Sequence, residues 1–499
     1  MKMSNKPNII LIVADDMGYG DFGLFSEGRV HTPVLDNLAQ TSMRLTQNYC
    51  GSAVCSPSRA ALMTGRYPHK TGGITPQETL GYDRIALDEV TMADTLKADG
   101  YATGLIGKWH NGALDRRYHP NARGFDEFIG FCGGWMDYYD WWLDRNGVIE
   151  NGDGTYLTDV LSNESVGFIN RHAQHPFFLN IAFNAPHSPL QAPETIVRRY
   201  EEKGFSRGIS LTYAMIEVMD KGLGKILQSV RDNNLENNTI FMFTSDNGPA
   251  FILRDDQVPK GVSIDTTRFN IGMNGAKGTT YEGGIRVPMI IRWPDGLPMN
   301  QELDTRVHFI DWLPTLAQAT GSTTIGKKDL DGRSVLNALR GTENLDNAPH
   351  FWQWNMYSPV RGVNAAMRDQ NWKLVKPGVN IAYASAEDLT LFEAYVDRDI
   401  EYKYNREKIT GVADWPEPER ITPILPSTEL YDLSVDPGET NNLAEAEPAR
   451  TRLMETELDT WFDQVEGERR NISADNHHPT TIPAPLKPSD TKPFMGGIG

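Results

Sequence analysis

The chain has 499 residues, 66 of them acidic and 48 basic, for a formal net charge of −18 at pH 7. This balance excludes general affinity for nucleic acid or anionic membranes, and argues mildly against a long, heavily sulfated polymer spread over a wide surface. Three cysteines do not make a disulfide framework, no apolar run approaches the roughly eighteen residues of a membrane span, and the length suits two domains or three.

The first seven residues have no apolar stretch with a cleavage site, which reads as a cytoplasmic chain, or a periplasmic or secreted one if a leader was removed. Asn8–Ala14 is a continuous apolar run and predicts a strand covered on both faces. Residues 101–107, 177–183, 239–245 and 287–293 predict further strands. Helical patterns lie over 33–43, 90–99, 158–173, 210–233 and 308–320. Alternation of strand and helix predicts an α/β sandwich around a mostly parallel mixed sheet, spanning residues 1–350. Composition shifts near residue 350. Residues 365–375 and 430–443 predict short antiparallel strands, with a helix near 443–466, as a smaller α+β domain over 351–469. Residues 470–499 are rich in proline and polar groups and read as an extended tail.

Several segments carry chemistry. Asp15-Asp16 follows one buried strand and Asp246-Asn247 another. Parallel strands open on one sheet edge, where ligands bind, and oxygen donors alone suit a hard cation such as Ca²⁺ or Mg²⁺. Neighbours in a strand point oppositely, so both members of a pair reach one ion only if the strand stops there. Each pair taken alone also suits a turn or a helix cap. Cys55-Ser56-Pro57-Ser58-Arg59 predicts a helix beginning at residue 55, since Pro57 fits a first turn and Ala60 to Met63 favour helix. Free N–H groups and the helix dipole favour negative charge there. A cysteine in that place also fits plain apolar packing.

Lys108 and His110 are two residues apart and share a face if the chain is extended. A cation beside an imidazole suits anion stabilisation with proton transfer. Prolines on both sides of His187 fix where it points. Lys277 lies in a glycine-rich stretch that lets backbone approach an anion. Trp135, Asp137 and Trp141 belong to an aromatic and acidic run of the kind that holds sugar rings, as do Trp352 and Trp354. Arg254 and Arg268 precede Lys277 and could line a rim. Each of these also has an ordinary packing or surface role.

Cys-x-Pro-x-Arg running into Thr64-Gly65-Arg66, together with the acidic pairs, Gly107-Lys108-Trp109-His110, His187, Lys277, Trp372-Lys-Leu-Val375 and Glu429-Leu-Tyr-Asp-Leu433, resembles the type I sulfatases of the alkaline phosphatase superfamily over most of the chain. The resemblance implies an alkaline phosphatase-like fold and hydrolysis of a sulfate monoester, with a small-molecule or oligosaccharide sulfate as substrate. It implies that a formylglycine-generating enzyme oxidises Cys55 to an aldehyde, which hydrates to a diol. Asp15, Asp16, Asp246, Asn247 and the modified Cys55 would bind one divalent cation, usually Ca²⁺. Arg59 would hold the diol, Asp246 would help ionise it, and Lys108, His187 and Lys277 would clamp the sulfate and the leaving oxygen. His110 would take a proton from the second hydroxyl. Asn111 departs from the Leu common among relatives, which touches local packing. Two alternatives stand beside this reading: a phosphodiesterase or phosphonate monoester hydrolase of the same superfamily, and a non-catalytic protein that binds sulfated glycans.

Overall fold

A computed structural model describes residues 6–323, 326, 328–345, 348–379, 382–421 and 424–473; the expected tail beyond 473 lies outside the described residues. Five parallel strands form the centre of a ten-stranded sheet, in the order Thr239–Ser245, Asn8–Ala14, Phe177–Ala182, Ala102–Lys108 and Glu127–Phe131. Asn8–Ala14 is buried at every position, as its unbroken apolar run requires. Antiparallel Met289–Arg292 extends one edge, followed by Met43–Leu45 and Gln301–Leu303. The hairpin Trp142–Arg145 with Val148–Asn151 extends the other.

Helices cover the faces. Pro33–Thr41, Met92–Ala98, Leu157–His172, Arg207–Asp232 and Trp312–Thr320 fall within a few residues of the predicted spans. Among the described residues no helix is long and apolar enough to cross a membrane, and all three cysteines are buried free thiols.

A second, antiparallel sheet orders His350–Gln353, Ala365–Asp369, Trp372–Lys376 and Glu429–Asp432. The helix Pro448–Arg470 lays Met454, Leu458, Trp461, Phe462 and Val465 onto this sheet and onto Ala61, Tyr67 and Ile310 of the larger unit. Among the described residues the longest element not foreseen is the helix Ala386–Tyr404. Its buried residues include Arg398 and Lys403, so no simple apolar stripe announces it.

Gly107 is the next-to-last residue of the strand that ends in Lys108. Its φ is +106°, and a Cβ there would lie 2.0 Å from the Ala182 carbonyl oxygen of the next strand. Gly107→Ala is therefore expected to cost about 2–4 kcal/mol, through backbone strain and strand separation. A fall in melting temperature checks this; an unchanged value would mean the strands are not packed this closely.

Candidate active site

The two acidic pairs meet at the ends of adjacent parallel strands. Ala14 pairs with Ser245, and both strands stop there. The chain then turns through Asp16, at φ +67°, so consecutive aspartates can face one point. Asp246 Oδ1 accepts the Asp16 N–H at 3.2 Å, and Asn247 Nδ2 donates to Asp16 Oδ1 at 2.8 Å.

The helix Cys55–Thr64 points its first turn at this edge. Val54 precedes it in extended conformation and offers no side-chain cap, which leaves the first backbone N–H groups free of side-chain partners. Cys55 Sγ lies 3.6 Å from Asp15 Oδ1. Arg59, one turn on, donates from Nε to Asp246 Oδ2 at 2.9 Å and places Nη2 2.8 Å from the same oxygen. It also lies 3.9 Å from Asp15. Lys108 Nζ is 2.6 Å from Asp15 Oδ2, with both side chains fully buried. Lys277 Nζ reaches both Asp16 oxygens, at 2.8 and 2.9 Å. His187 Nε2 is 3.8 Å from Asp16 Oδ2. One ligand atom each from Asp15, Asp16, Cys55 and His187 falls within 4.8 Å of the others.

Charge is unevenly settled here. Burial pushes the Asp15 carboxyl well above its usual range, with Asp246 adding to the push against Lys108. Burial also opposes ionisation of Asp16, but Lys277 and His187 outweigh it and hold that group low. Asn247 Oδ1 is buried without a hydrogen-bond partner among the described residues. Buried carboxylates, one of them undercompensated, plus an orphaned amide oxygen fit a hard divalent cation held by Asp15, Asp16, Asp246 and Asn247.

The two histidines are set differently. His187 pairs Nδ1 with the Ser188 carbonyl at 2.7 Å, so Nδ1–H donates and Nε2 faces the acidic pair. Burial and Lys277 lower its pKa. His110 sits at φ +53° with Nε2 3.0 Å from the Pro76 carbonyl and 3.4 Å from Glu78. Its Nδ1 is buried and unpaired among the described residues. Burial and Lys108 hold His110 well below its ordinary range.

Comparison with known proteins fits this arrangement. The sulfatase family model matches residues 7–322, and a model of the C-terminal part of N-sulphoglucosamine sulphohydrolase matches 276–401. The chain is 32% identical over 400 residues to N-acetylgalactosamine-6-sulfatase of Sus scrofa, covering 70% of this chain and 72% of that protein. It is 28% identical to steryl-sulfatase of Mus musculus, covering 90% and 80%. The crystal structure of Ps i-CgsB in complex with k-i-k-neocarrahexaose superposes with a TM-score of 0.73 at 29% identity, covering 96% of this chain and 95% of that one. The chain belongs to the sulfatase family.

The rest of this sulfatase's predicted site divides into three groups. Trp135 is half-buried and donates its indole N–H to Asp399, Arg254 pairs with Asp256, and Trp354 packs beside Gly278, next to Lys277. Arg268 is buried and paired to Asp21 at 2.7 and 2.8 Å, and it lines a cavity together with Asp16, Pro186 and Ser188. Asp137, Trp141 and Trp352 are engaged in packing. The Asp137 carboxylate accepts from Tyr139, Asp140, Gln191 and Tyr404. The indole N–H groups of Trp141 and Trp352 donate to Thr155 and Cys50 carbonyls. The aromatic run also has a positioning role: the Tyr138 hydroxyl lies 2.7 and 2.9 Å from the Asn184 and His187 carbonyls. Asn111 donates to the Ser56 carbonyl at 3.0 Å, tying the Lys108 strand end to the first turn of the Cys55 helix.

Sequence reasoning missed Glu78, Asp399 and Lys403. Glu78 touches His110 and pairs with Lys403, which lies 3.2 Å from Asp399. Gly133 and Gly134 make room: a Cβ on Gly134 would lie 2.6 Å from the His110 ring, and one on Gly133 2.3 Å from Lys403 Nζ. The signal available was the Gly-Gly pair before Trp135.

A cation site of this kind predicts ligand-linked stability. Calcium returned to EDTA-treated protein at a hundred times its Kd is expected to add about 2.7 kcal/mol. Asp16→Asn should lose most of the accompanying rise in melting temperature. No rise in the wild type would remove the cation from the site.

Proposed function

We propose that this sulfatase cleaves the S–O bond of a carbohydrate sulfate, using formylglycine at position 55 and one divalent cation, with Ca²⁺ favoured over Mg²⁺. The observation that carries the chemistry is Cys55 at the first turn of a helix, against Asp15 and among Arg59, Lys108 and Lys277. Maturation would need a formylglycine-generating enzyme. A cation held by the four oxygen-bearing residues would polarise the sulfate and favour ionisation of the nucleophile. Residue 55, as the hydrated aldehyde, would supply one hydroxyl to attack sulfur and a second whose deprotonation frees the sulfate.

This chain's own groups do the remaining work. Lys108 and Lys277 hold positive charge on either member of the acidic pair, where they offset charge developing on the sulfuryl oxygens. Arg59 fixes Asp246, so that carboxylate keeps its orientation. His187, anchored through Nδ1, presents Nε2 to the pocket, and in its protonated form gives that proton to the departing alcohol. His110, with Nε2–H committed to the Pro76 carbonyl, keeps Nδ1 as a proton acceptor.

The carbohydrate part rests on two supports. The relatives include N-acetylgalactosamine-6-sulfatase, and Ps i-CgsB was crystallised with a neocarrahexaose. The polar, partly acidic surroundings of Trp135 suit a polyol better than a sterol. A steryl or aryl sulfate is the second reading, since steryl-sulfatase also matches.

Rates on 4-nitrophenyl sulfate and 4-nitrophenyl phosphate test the reaction class. The sulfate should lead in kcat/KM by at least about a hundredfold, and Lys108→Ala should lower kcat on it by roughly 10²–10³. Preference for the phosphate would replace this reading with the phosphodiesterase or phosphonate monoester hydrolase alternative.

A further inference from the structure

The helix Ala386–Tyr404, which no sequence signal announced, delivers three side chains to Trp135, whose neighbour Gly134 lies against the His110 ring. Asp399 Oδ2 accepts the indole N–H of Trp135 at 3.0 Å. Lys403 Nζ lies 3.2 Å from Asp399 Oδ1 and pairs on its other side with Glu78, the residue in contact with His110. Tyr404 packs edge-on to Trp135, with ring centroids 5.8 Å apart. Asp399 keeps 27% of its side chain exposed and Tyr404 is 45% exposed, whereas Lys403 is buried. Asp399 thus connects through Lys403 and Glu78 to His110, the residue whose ring Gly134 approaches from the Trp135 side.

The cations around this carboxylate are already engaged. Lys403 is shared between Glu78 and Asp399. Arg254 makes a two-pronged pair with Asp256, at 2.9 Å through both Nε and Nη2. A second anionic group on the substrate would meet Asp399 with no uncommitted positive charge among these residues. A neutral hydroxyl would instead find an acceptor with free lone pairs beside an aromatic ring. A sterol or simple aryl leaving group would offer that carboxylate no donor.

We infer that Asp399, with Trp135, is a specificity-determining subsite for the leaving alcohol, selecting a sugar that carries a free hydroxyl next to the sulfated position and disfavouring one with a second sulfate there. This inference rests on the carbohydrate sulfatase reading above and sharpens it. The carboxylate accepts the neighbouring hydroxyl and repels a neighbouring anion, so it discriminates in both directions.

The test uses full-length protein matured at residue 55, with three substrates: 4-nitrophenyl sulfate, a hexose monosulfate with a free vicinal hydroxyl, and the same hexose sulfated at both positions. Wild type should favour the monosulfate over the disulfate by at least tenfold in kcat/KM. Asp399→Asn keeps the shape and an acceptor for the Trp135 N–H. It should lower monosulfate kcat/KM about tenfold, narrow the gap to the disulfate, and leave 4-nitrophenyl sulfate within twofold. Trp135→Phe, which removes the indole N–H donated to Asp399 but keeps an aromatic ring, should lower the monosulfate rate and spare the aryl ester. Equal losses on sugar and aryl esters, or no loss on either, would overturn the subsite. Absence of 4-nitrophenyl sulfate turnover by the wild type would instead strike the sulfatase mechanism itself, and turnover of aryl but no sugar sulfates would strike the carbohydrate reading.

Discussion

Three carboxylates buried at one sheet edge are the constraint on which the rest of the molecule depends. Asp15, Asp16 and Asp246 have no more than 3% exposure, so their mutual repulsion is barely screened by water. Each is met by a cation from a different part of the chain: Lys108 from a strand end, Lys277 from a glycine-rich loop, and Arg59 from the helix that begins at Cys55. The ten-stranded sheet exists, functionally, to hold these three origins within a few ångströms. The cations do not fully balance the acids, because Asp15 stays undercompensated while Asp16 is held low. That residual imbalance is what a divalent ion and a sulfate group together would resolve.

Placing residue 55 inside this cluster gives it a reactive setting rather than a packing one. All ten residues of its helix are buried, and Ser58 donates to the Asp246 backbone carbonyl at 2.6 Å, locking helix to strand end. Residue 55 therefore has little freedom to drift from the acids. Its neighbours are fixed with equal care: Tyr138 braces the His187 loop, and Asn111 braces the first turn from the His110 side. Chemistry and support thus come from separate elements, with the aromatic run at 133–142 serving mainly as support.

The chemical half of the site was legible because its signals are local. Apolar runs ending in acids mark strand ends at Ala14 and Ser245, and Pro57 marks a helix start. The five central strands are long or continuous enough to read, except Glu127–Phe131, whose run is short. Edge strands of three or four residues carry too few positions for a period to emerge. The substrate half was less legible. Trp141 and Trp352 have the composition of a sugar platform, yet their indoles are spent on carbonyls. Asp399 and Lys403 lie more than two hundred residues from Trp135, on a helix whose buried face is partly charged. Only the folded chain shows that a buried lysine links them to Glu78 and His110.

The central claim is that an oxidised side chain at position 55 attacks the ester, and peptide mass spectrometry paired with activity tests it most directly. Conversion removes one sulfur and two hydrogens from the Cys55 peptide and adds one oxygen. Preparations made with varying amounts of maturation enzyme should show sulfate-ester turnover proportional to the converted fraction, extrapolating to zero for the pure thiol. Full turnover from protein whose residue 55 remains a thiol would contradict the account.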